Sequence, residues 1–350
     1  METIGCSRLS LASFHTHTSS LPQLVFTPKL LPLSLSSCYR LSFQSSVSFP
    51  SPPLANPISK AATLSSLSME SSLQGNAAST LVSSSGKVGE YDLLIVGPGV
   101  LGRLVAEQWR QEHPGCQIVG QTMTTDHHDE LIKMGINPSL KGMEMDHKFP
   151  YVIFCAPPSR TSDYPGDVSA GSFLFTSSSA PYDCFDNGSC DEDSPVVPIG
   201  RSPRTDVLLK AEKVVVESGG CVLRLAGLYI SFLSSFLRGA HSYWLEKGTV
   251  DVRPDHVLNL IHYEDAASLS IAILKKKLRG RIFLGCDNHP LSRQEVMDFV
   301  DRSGKFSKKF QGFTGTSDPL GKRLNNSKTR KEIGWQPKYP SFAQFLGLSG

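Results

Sequence analysis

The stretch Tyr91-Asp-Leu-Leu-Ile-Val-Gly-Pro-Gly-Val-Leu-Gly102 joins a short apolar run to three glycines in the pattern Gly-x-Gly-x-x-Gly. Apolar residues at helical spacing follow it, up to His113-Pro-Gly115. A strand, a glycine turn and a helix in this order are typical of a parallel α/β sheet that binds a dinucleotide. We therefore begin the folded part of the chain at Glu90.

The three glycines have different physical roles in such a turn. Gly97 permits the tight turn, Gly99 lets the backbone approach a pyrophosphate, and Gly102 lets helix and strand pack closely. The helix N-terminus, at Val100 and Leu101, supplies amide donors and the positive end of the helix dipole. We predict that these five residues bind the cofactor.

Strands and helices alternate further along the chain. The pattern predicts buried strands at 116–121, 151–156, 172–176 and 221–226, and helices at 126–134 and 205–218. Alternation of this kind predicts a doubly wound α/β fold, with a parallel Rossmann sheet and a small C-terminal substrate or lid region. We assign residues 90–229 to the dinucleotide-binding domain and residues 230–350 to the C-terminal region, with 257–290 returning to the first domain.

Residues 1–89 differ in composition from the rest. They contain 23 serines, and their five basic and two acidic residues account for the whole net charge of +3. This composition is typical of a disordered organelle transit peptide, removed before Glu90. A plastid is the favoured destination and a mitochondrion the alternative; a disordered tail that carries no address also stays open.

The composition disfavours several classes of protein. The folded part has no net positive charge, which argues against a nucleic-acid partner. No run approaches the ~18 apolar residues of a membrane span. The cysteines form no Cys-x-x-Cys pair, so we expect no metal site. Cys184 and Cys190 lie close together in an acidic loop, where two reduced thiols are favoured over a redox-sensitive disulfide.

The end of the second predicted strand lacks the acidic residue that usually binds the ribose of NAD. It reads Gln121-Thr-Met-Thr-Thr125, and Asp126 is the first acid. Without that carboxylate a 2′-phosphate is not repelled, and Thr122 or Thr124 can donate a hydrogen bond to it. We favour NADP as the cofactor over NAD, with Thr124 at the site.

Four later stretches resemble one family in consistent order. They are Phe173-Leu-Phe-Thr-Ser-Ser-Ser-Ala-Pro-Tyr182, Val222-Leu-Arg-Leu-Ala-Gly-Leu-Tyr229, Asn259-Leu-Ile-His-Tyr-Glu-Asp265 and Ile333-Gly-Trp-Gln-Pro337. They are similar to segments of the extended short-chain dehydrogenase/reductases, the NAD-dependent epimerase/dehydratase group. The resemblance covers about residues 90–345.

The resemblance implies roles for particular residues. Ala156 and Pro157 would pass beside the nicotinamide ribose, and Ser178 would be the catalytic serine that binds a substrate oxygen. The alternative for Ser178 is a hydroxyl without function in a polar loop. Arg224 is expected to pair with a carboxylate, and His262 to be a hydrogen-bonded histidine near the sheet.

The family's acid/base pair, Tyr-x-x-x-Lys, is missing. Alignment on Glu212 places Arg204 at the tyrosine and Leu208 at the lysine, whereas alignment on Lys210 places Asp206 at the tyrosine. The chain therefore resembles atypical members whose catalytic residues are altered. Arg204 would act only as an electrostatic stabiliser, because arginine does not release its proton.

Two functions follow as expectations. One is a plastid NAD(P)(H)-dependent oxidoreductase or epimerase that acts on a small carbonyl or sugar-nucleotide substrate. The other is a dinucleotide-binding sensor or scaffold without catalysis. The short segment 157–171 and the apolar segment 230–237 have no assigned role.

Overall fold

The structure is a computed structural model, and it describes residues 88–143, 148–158, 169–232 and 236–348. The predicted transit peptide therefore lies outside the described residues, except for its last two positions. Most of the short crossover at 157–171 lies outside them as well. Within the described part, no helix is both long and apolar enough to cross a bilayer.

The strands are short, and most of those in the first half of the chain are apolar. Their bounds are β1 Leu93–Val96, β2 Ile118–Thr122, β3 Asn137–Leu140, β4 Phe149–Phe154, β5 Ser169–Ser178, β6 Asp186–Cys190, β7 Cys221–Leu225, β8 Gly227–Phe232, β9 Phe236–Arg238, β10 Thr249–Val250, β11 Val257–Leu258, β12 Leu260–His262, β13 Ile282–Gly285, β14 Leu291–Ser292, β15 Gly312–Phe313 and β16 Gly321–Leu324.

The helices fall between these strands. Their bounds are α1 Val100–Glu112, α2 His128–Lys133, α3 Pro203–Glu217, α4 Ala240–Lys247, α5 Tyr263–Lys276, α6 Arg293–Ser303, α7 Ser327–Ile333 and α8 Phe342–Phe345. Ser202 caps α3 by accepting from the Thr205 amide, and Pro203 occupies the first turn, where its missing amide costs nothing.

Seven of these strands form one sheet in the order β13-β7-β5-β4-β1-β2-β3. Every neighbouring pair runs parallel. The order reverses between β1 and β4, as in doubly wound folds. The predicted fold class is confirmed.

The sequence did not predict β3. It pairs parallel with β2 at the edge of the sheet. Its sequence, Asn-Pro-Ser-Leu, has neither an apolar run nor an alternating pattern, and Pro138 is tolerated because the strand is at the edge.

Helices pack on both faces of the sheet, and alternate strand residues point to each face. On one face α1 packs against α5, above a core that contains Leu93, Ile95 and Ile153. On the other face α3 packs against β5 and β7, and its residues Ala211 and Val215 join a core of strand side chains. Both faces of the central strands are therefore buried.

Smaller sheets combine strands of the C-terminal part with β6 and β8, which begin in the first domain. One has the order β14-β11-β16-β6, and another the order β12-β8-β9. Within the apolar segment 230–237, residues 230–232 and 236–237 lie in the antiparallel pair β8 and β9, and residues 233–235 lie outside the described residues. A separate core of aromatic and aliphatic side chains, which includes Trp244, Val296 and Phe342, stabilises this part.

Candidate functional site

The glycine turn connects β1 to α1 with tight geometry. Gly97 has φ of 80°, in the left-handed region where a side chain is strained, and the Gly99 amide donates to the Gly97 carbonyl at 2.7 Å. Gly99 is the N-cap of α1 and no side chain caps that helix. The first amides of α1, at Val100, Leu101 and Gly102, have no partner within the helix, so they are donors for an anion.

The space around each glycine separates its role from those of the others. A Cβ atom on Gly97 would lie 2.7 Å from the Ala156 Cβ, and one on Gly102 would lie 2.8 Å from the Ile95 Cγ2. A Cβ on Gly99 would meet nothing closer than the Gly97 carbonyl oxygen, at 4.0 Å. Gly97 and Gly102 are thus required by packing, while Gly99 faces open space of the kind that a pyrophosphate needs.

The end of β4 lies directly beside this turn. The Ala156 amide donates to the Val96 carbonyl at 3.0 Å, and the Cys155 amide donates to the same oxygen at 2.8 Å. Pro157 follows and is exposed. Ala156 and Pro157 therefore lie next to the glycine turn, and their place beside the nicotinamide ribose stays a prediction.

The end of β2 holds hydroxyls and charges in a small network. Thr122 Oγ1 is hydrogen-bonded to His128 Nε2 at 2.8 Å, and Thr124 Oγ1 donates to the Asp126 carboxylate at 3.0 Å. The Thr124 hydroxyl thus has an acidic partner, which the sequence did not indicate.

A basic residue close to the end of β2 was not identified as a candidate from the sequence. Arg103 on α1 donates to the Pro98 carbonyl at 3.3 Å and pairs with Glu130 at 2.8 Å. Hydrogen bonds from Arg103 and His127 lower the pKa of the Glu130 carboxyl. Arg103 precedes β2 in the chain, so a search forward from Thr122 for a cation does not find it.

Ser178 is the last residue of β5 and is half-buried. Its Oγ accepts a hydrogen bond from the Ala180 amide at 3.2 Å, which leaves its own hydroxyl hydrogen able to bind another acceptor. In the sheet register Ser178 pairs with Leu225, whereas Phe175, three residues earlier, pairs with Phe154 at the end of β4. Ser178 therefore lies beyond the level of the glycine turn, on the same edge of the sheet.

Arg224 has the structural role that the sequence predicted. Its guanidinium donates to the Glu212 carboxylate at 2.7 and 3.2 Å, and both side chains are buried. Ser177 donates to the same carboxylate at 2.5 Å, and Arg224 also stacks on the Tyr182 ring, 4.7 Å from its centroid. These contacts tie α3 to β5 and β7.

His262 and Asp265 also have structural roles. The buried His262 accepts from the Glu264 amide through Nδ1 and lies against the Tyr339 ring. Burial lowers its pKa to about 4, so it is neutral at pH 7. Asp265 accepts from the Lys338 and Tyr339 amides, which anchors the C-terminal segment. Among the described residues, no group of three or more potential metal ligands comes together.

Comparison with solved structures shows which known proteins have a similar architecture. A functionally unknown conserved protein from Silicibacter pomeroyi matches with a TM-score of 0.62 and 22% identity, over 73% of this chain and 96% of that one. UDP-glucose 4-epimerase from Thermotoga maritima, solved with UDP-glucose, matches with a TM-score of 0.59 and 14% identity, over 73% and 96%. The chain has the fold of the NAD-dependent epimerases and dehydratases. A dTDP-glucose 4,6-dehydratase from Bacillus anthracis, in complex with NAD, matches with a TM-score of 0.56 and 15% identity, over 73% and 94%.

Sequence comparison alone finds less. The sequence matches no protein-family model, and no curated protein matches it.

The two sequence alignments place different residues of α3 at the tyrosine position, and the structure shows where each of them lies. Glu212 is buried, Leu208 one turn earlier is half-buried, and Arg204 two turns earlier is exposed. Leu208, four residues before Glu212, lies close to the same face of α3, whereas the exposed Arg204 is turned further away from that face. Asp206, which the second alignment places at the tyrosine, accepts from the Gly200 amide at 2.9 Å and stabilises the loop before α3.

A lysine from the C-terminal region also contacts the loop at residues 179–182, which follows Ser178 and is called the serine loop below. Lys322 on β16 donates to the Ser179 carbonyl at 3.2 Å and to the Tyr182 carbonyl at 2.6 Å. This contact could not be predicted from the sequence, because it joins residues at least 140 positions apart.

Proposed function

We propose that the chain binds NADP(H), or alternatively NAD(H), at the glycine turn and acts as an oxidoreductase or epimerase. Its substrate would be a small carbonyl compound or a sugar nucleotide. The observation that carries the proposal is the open space at Gly99, in front of the uncapped N-terminus of α1. Two solved proteins of the same fold that are described with NAD or UDP-glucose give further support.

The residues of the turn fit a dinucleotide chemically. The amides of Val100, Leu101 and Gly102 are donors for the pyrophosphate, and no acidic side chain lies in the first turn of α1 to repel it. Ala156 and Pro157 would flank the nicotinamide ribose. When bound, the cofactor supplies a hydride acceptor or donor.

The substrate would lie beyond the turn, at the carboxyl end of β5. Ser178 would donate its hydroxyl hydrogen to a carbonyl or alkoxide oxygen of the substrate, which favours negative charge on that oxygen. Arg204 would add electrostatic stabilisation from α3, without transferring a proton. This proposal keeps Ser178 and Arg204 as the catalytic candidates.

A second function is favoured by one specific observation. Neither alignment of α3 contains the family's tyrosine: alignment on Glu212 gives Arg204 there and Leu208 at the lysine, and alignment on Lys210 gives Asp206 at the tyrosine. A protein that binds the dinucleotide as a sensor or scaffold needs neither residue. We keep this non-catalytic function as the alternative.

Calorimetric titration of NADPH and NADH tests the cofactor site. Gly99→Asp should abolish binding, because the carboxylate would enter the space of the pyrophosphate and repel it. Gly99→Ala is the matched control for the fold, since its Cβ meets no atom within contact distance. If the wild-type chain binds neither nucleotide, or if Gly99→Asp binds as well as the wild type, the site is not at this turn.

Turnover then separates the enzyme from the binder. The wild-type chain should oxidise NADPH when it is offered a panel of small aldehydes, ketones and sugar nucleotides. Binding without turnover of any of them would favour the sensor or scaffold.

We also propose that the chain acts in the plastid, after residues 1–89 are removed. The serine-rich, acid-poor composition of that segment supports this location. N-terminal sequencing of the protein from isolated plastids should give a start between Met69 and Glu90. A start near Met1, or recovery from mitochondria alone, would contradict it.

A further inference from the structure

The Lys322 ammonium contacts the loop that follows Ser178. It reaches that loop from β16, which belongs to a different sheet, and two of its three N–H groups donate to the Ser179 and Tyr182 carbonyls. The side chain also lies over two aromatic rings, 5.9 Å from the Tyr182 centroid and 5.5 Å from that of Phe185. One N–H of the ammonium is left for another acceptor.

The charge of Lys322 is poorly compensated. Arg224, the other buried cation of this region, pairs with Glu212, whereas Lys322 forms no ion pair within the described part of the chain. Burial lowers the pKa of Lys322. The ionisable groups that face it are Cys190, Cys184, Asp183 and Arg224.

These neighbours do not neutralise the ammonium. Burial raises the pKa of the Cys190 thiol to about 12, so that thiol is uncharged at neutral pH. Asp183 is exposed to water, which screens its charge, and Arg224 repels a second cation. An amine in this setting releases its proton more readily than a lysine on the surface.

We propose that Lys322 is the proton donor of this site, in place of the missing tyrosine and lysine pair. The proposal rests on the proposed function and names a further residue of the same site. In the reduction of a carbonyl substrate, the carbonyl carbon would accept the hydride, with its two electrons, that a bound NADPH or NADH supplies. The carbon–oxygen π bond breaks, and the oxygen takes a proton from the Lys322 ammonium. The neutral amine that remains regains a proton from water.

This assignment also explains the placement of the side chain. The two backbone carbonyls hold the ammonium at the loop that begins directly after Ser178, the serine that would bind the substrate oxygen. On α3, the alignment on Glu212 places Leu208 where the family has its lysine. The catalytic cation would thus come from the C-terminal region.

The alternative is a lysine that only fixes the loop. Arginine keeps the positive charge and can donate to both carbonyls, but it does not release its proton near neutral pH. Lys322→Arg therefore retains the structural role and removes the proposed chemical one. Lys322→Met removes both.

The first test needs no turnover. Reductive methylation with formaldehyde and cyanoborohydride at pH 7 modifies amines in their neutral form, and peptide mass spectrometry measures each lysine separately. Lys322 should react at least as fast as Lys210, an exposed lysine on α3 that serves as the internal reference. Protection of Lys322 by more than about tenfold relative to Lys210 would mean a sealed or fully charged amine and would overturn the proposal.

The second test uses the wild-type reaction. Lys322→Arg and Lys322→Met should both lower the turnover number by about 10²- to 10⁴-fold, the usual range for a general acid, while NADPH binding stays within about twofold. Full activity of Lys322→Arg would show that Lys322 only holds the loop in place. It would overturn this inference and leave the proposed function standing. Loss of dinucleotide binding by the wild-type chain would instead overturn the proposed function, and the labelling result would still decide whether Lys322 has the required reactivity.

Discussion

Glu212 on α3 and Arg224 on β7 form a buried ion pair, with the closest nitrogen and oxygen 2.7 Å apart. The carboxylate also accepts from Ser177 on β5, so one acid connects a helix and two neighbouring strands. This contact fixes which face of α3 meets the sheet. Leu208 and Arg204 precede Glu212 on the same helix by one and two turns.

Removal of one partner of this pair should destabilise the fold strongly. Glu212→Gln or Arg224→Met would leave the other charge buried without a counter-ion, at a cost of about 3–5 kcal/mol in the free energy of unfolding. Urea denaturation followed by circular dichroism measures it. The double change Glu212→Leu with Arg224→Met should cost less than the sum of the two single changes.

The pair Lys213 and Glu217 on the same helix is the control. Its nitrogen and oxygen are 3.8 Å apart and both side chains are mostly exposed, so Lys213→Ala should change stability by less than about 1 kcal/mol. Equal effects of the buried and the exposed pair would contradict the structural role of Glu212.

Local patterns predicted the part of the fold that surrounds the glycine turn. The apolar run before Gly97 and the spacing of Leu101, Val105 and Trp109 place β1 and α1 within one or two residues. Such features depend on neighbours a few positions apart, where strand and helix periodicities are visible. The need of Arg224 for a carboxylate could also be predicted, because a strand position implies burial.

Features that depend on distant contacts could not be predicted. β3 is held at the sheet edge by pairing with β2, although its own sequence has little strand tendency. Lys322 contacts the serine loop because the pairing of β16 with β6 brings this distant part of the chain beside it. Arg103 and Thr124 each have an acidic partner whose side-chain direction no spacing rule gives.

The cofactor preference should depend on Asp126. We expect the wild-type chain to bind NADPH more tightly than NADH. The Asp126 carboxylate accepts from Thr124, the residue proposed to meet the 2′-phosphate, so it would repel that group. Asp126→Asn should tighten NADPH binding about two- to fivefold, as expected for one screened charge at a few ångströms, and leave NADH unchanged.

Asp129→Asn, at an exposed position on α2, is the control for this change in charge. Tighter binding of NADH than of NADPH by the wild-type chain would overturn the preference for NADP. No change in either affinity on Asp126→Asn would place the 2′-phosphate away from Thr124.

Stability should fall as the pH rises because of Asp287. This carboxyl is buried, its Oδ1 accepts from the His289 amide, and its Oδ2 has no hydrogen-bond partner among the described residues. Burial raises its pKa to about 7, whereas an unfolded aspartate titrates near 3.9. The folded state therefore keeps a proton that the unfolded chain releases. The contribution of this proton to the free energy of unfolding is fully present below pH 4 and is lost as the pH rises to about 7.

Between pH 5 and pH 8 this loss should amount to about 2–3 kcal/mol. Asp287→Asn keeps the acceptor for His289 and removes the titration, so the variant should be more stable than the wild type at pH 8. Denaturation at both pH values measures the difference. Asp251→Asn, at an exposed site, should leave the wild-type pH dependence intact. An unchanged pH dependence in Asp287→Asn would assign the effect to other groups.

Ser178 and Arg204 should contribute to turnover without contributing to cofactor affinity. Ser178→Ala removes the donor to the substrate oxygen and should lower the turnover number by about 10²-fold. Arg204→Ala removes only a screened charge on an exposed turn, so a smaller loss, about three- to tenfold, is expected. NADPH titrations of both variants should match the wild type, and a changed affinity would mean that these residues contact the nucleotide instead.

The sharpest test of the α3 alignment restores the missing pair. Arg204→Tyr together with Leu208→Lys would place a phenol and an ammonium one turn apart near the N-terminus of α3. The ammonium lowers the pKa of the phenol, so the pair can transfer a proton near neutral pH. Turnover should rise, and Lys322→Met should cost less in this background than in the wild type, because two groups would then supply the same proton. If the double change leaves the rate and the Lys322 effect as they were, position 204 does not face the substrate, and the catalytic role of this end of α3 is wrong.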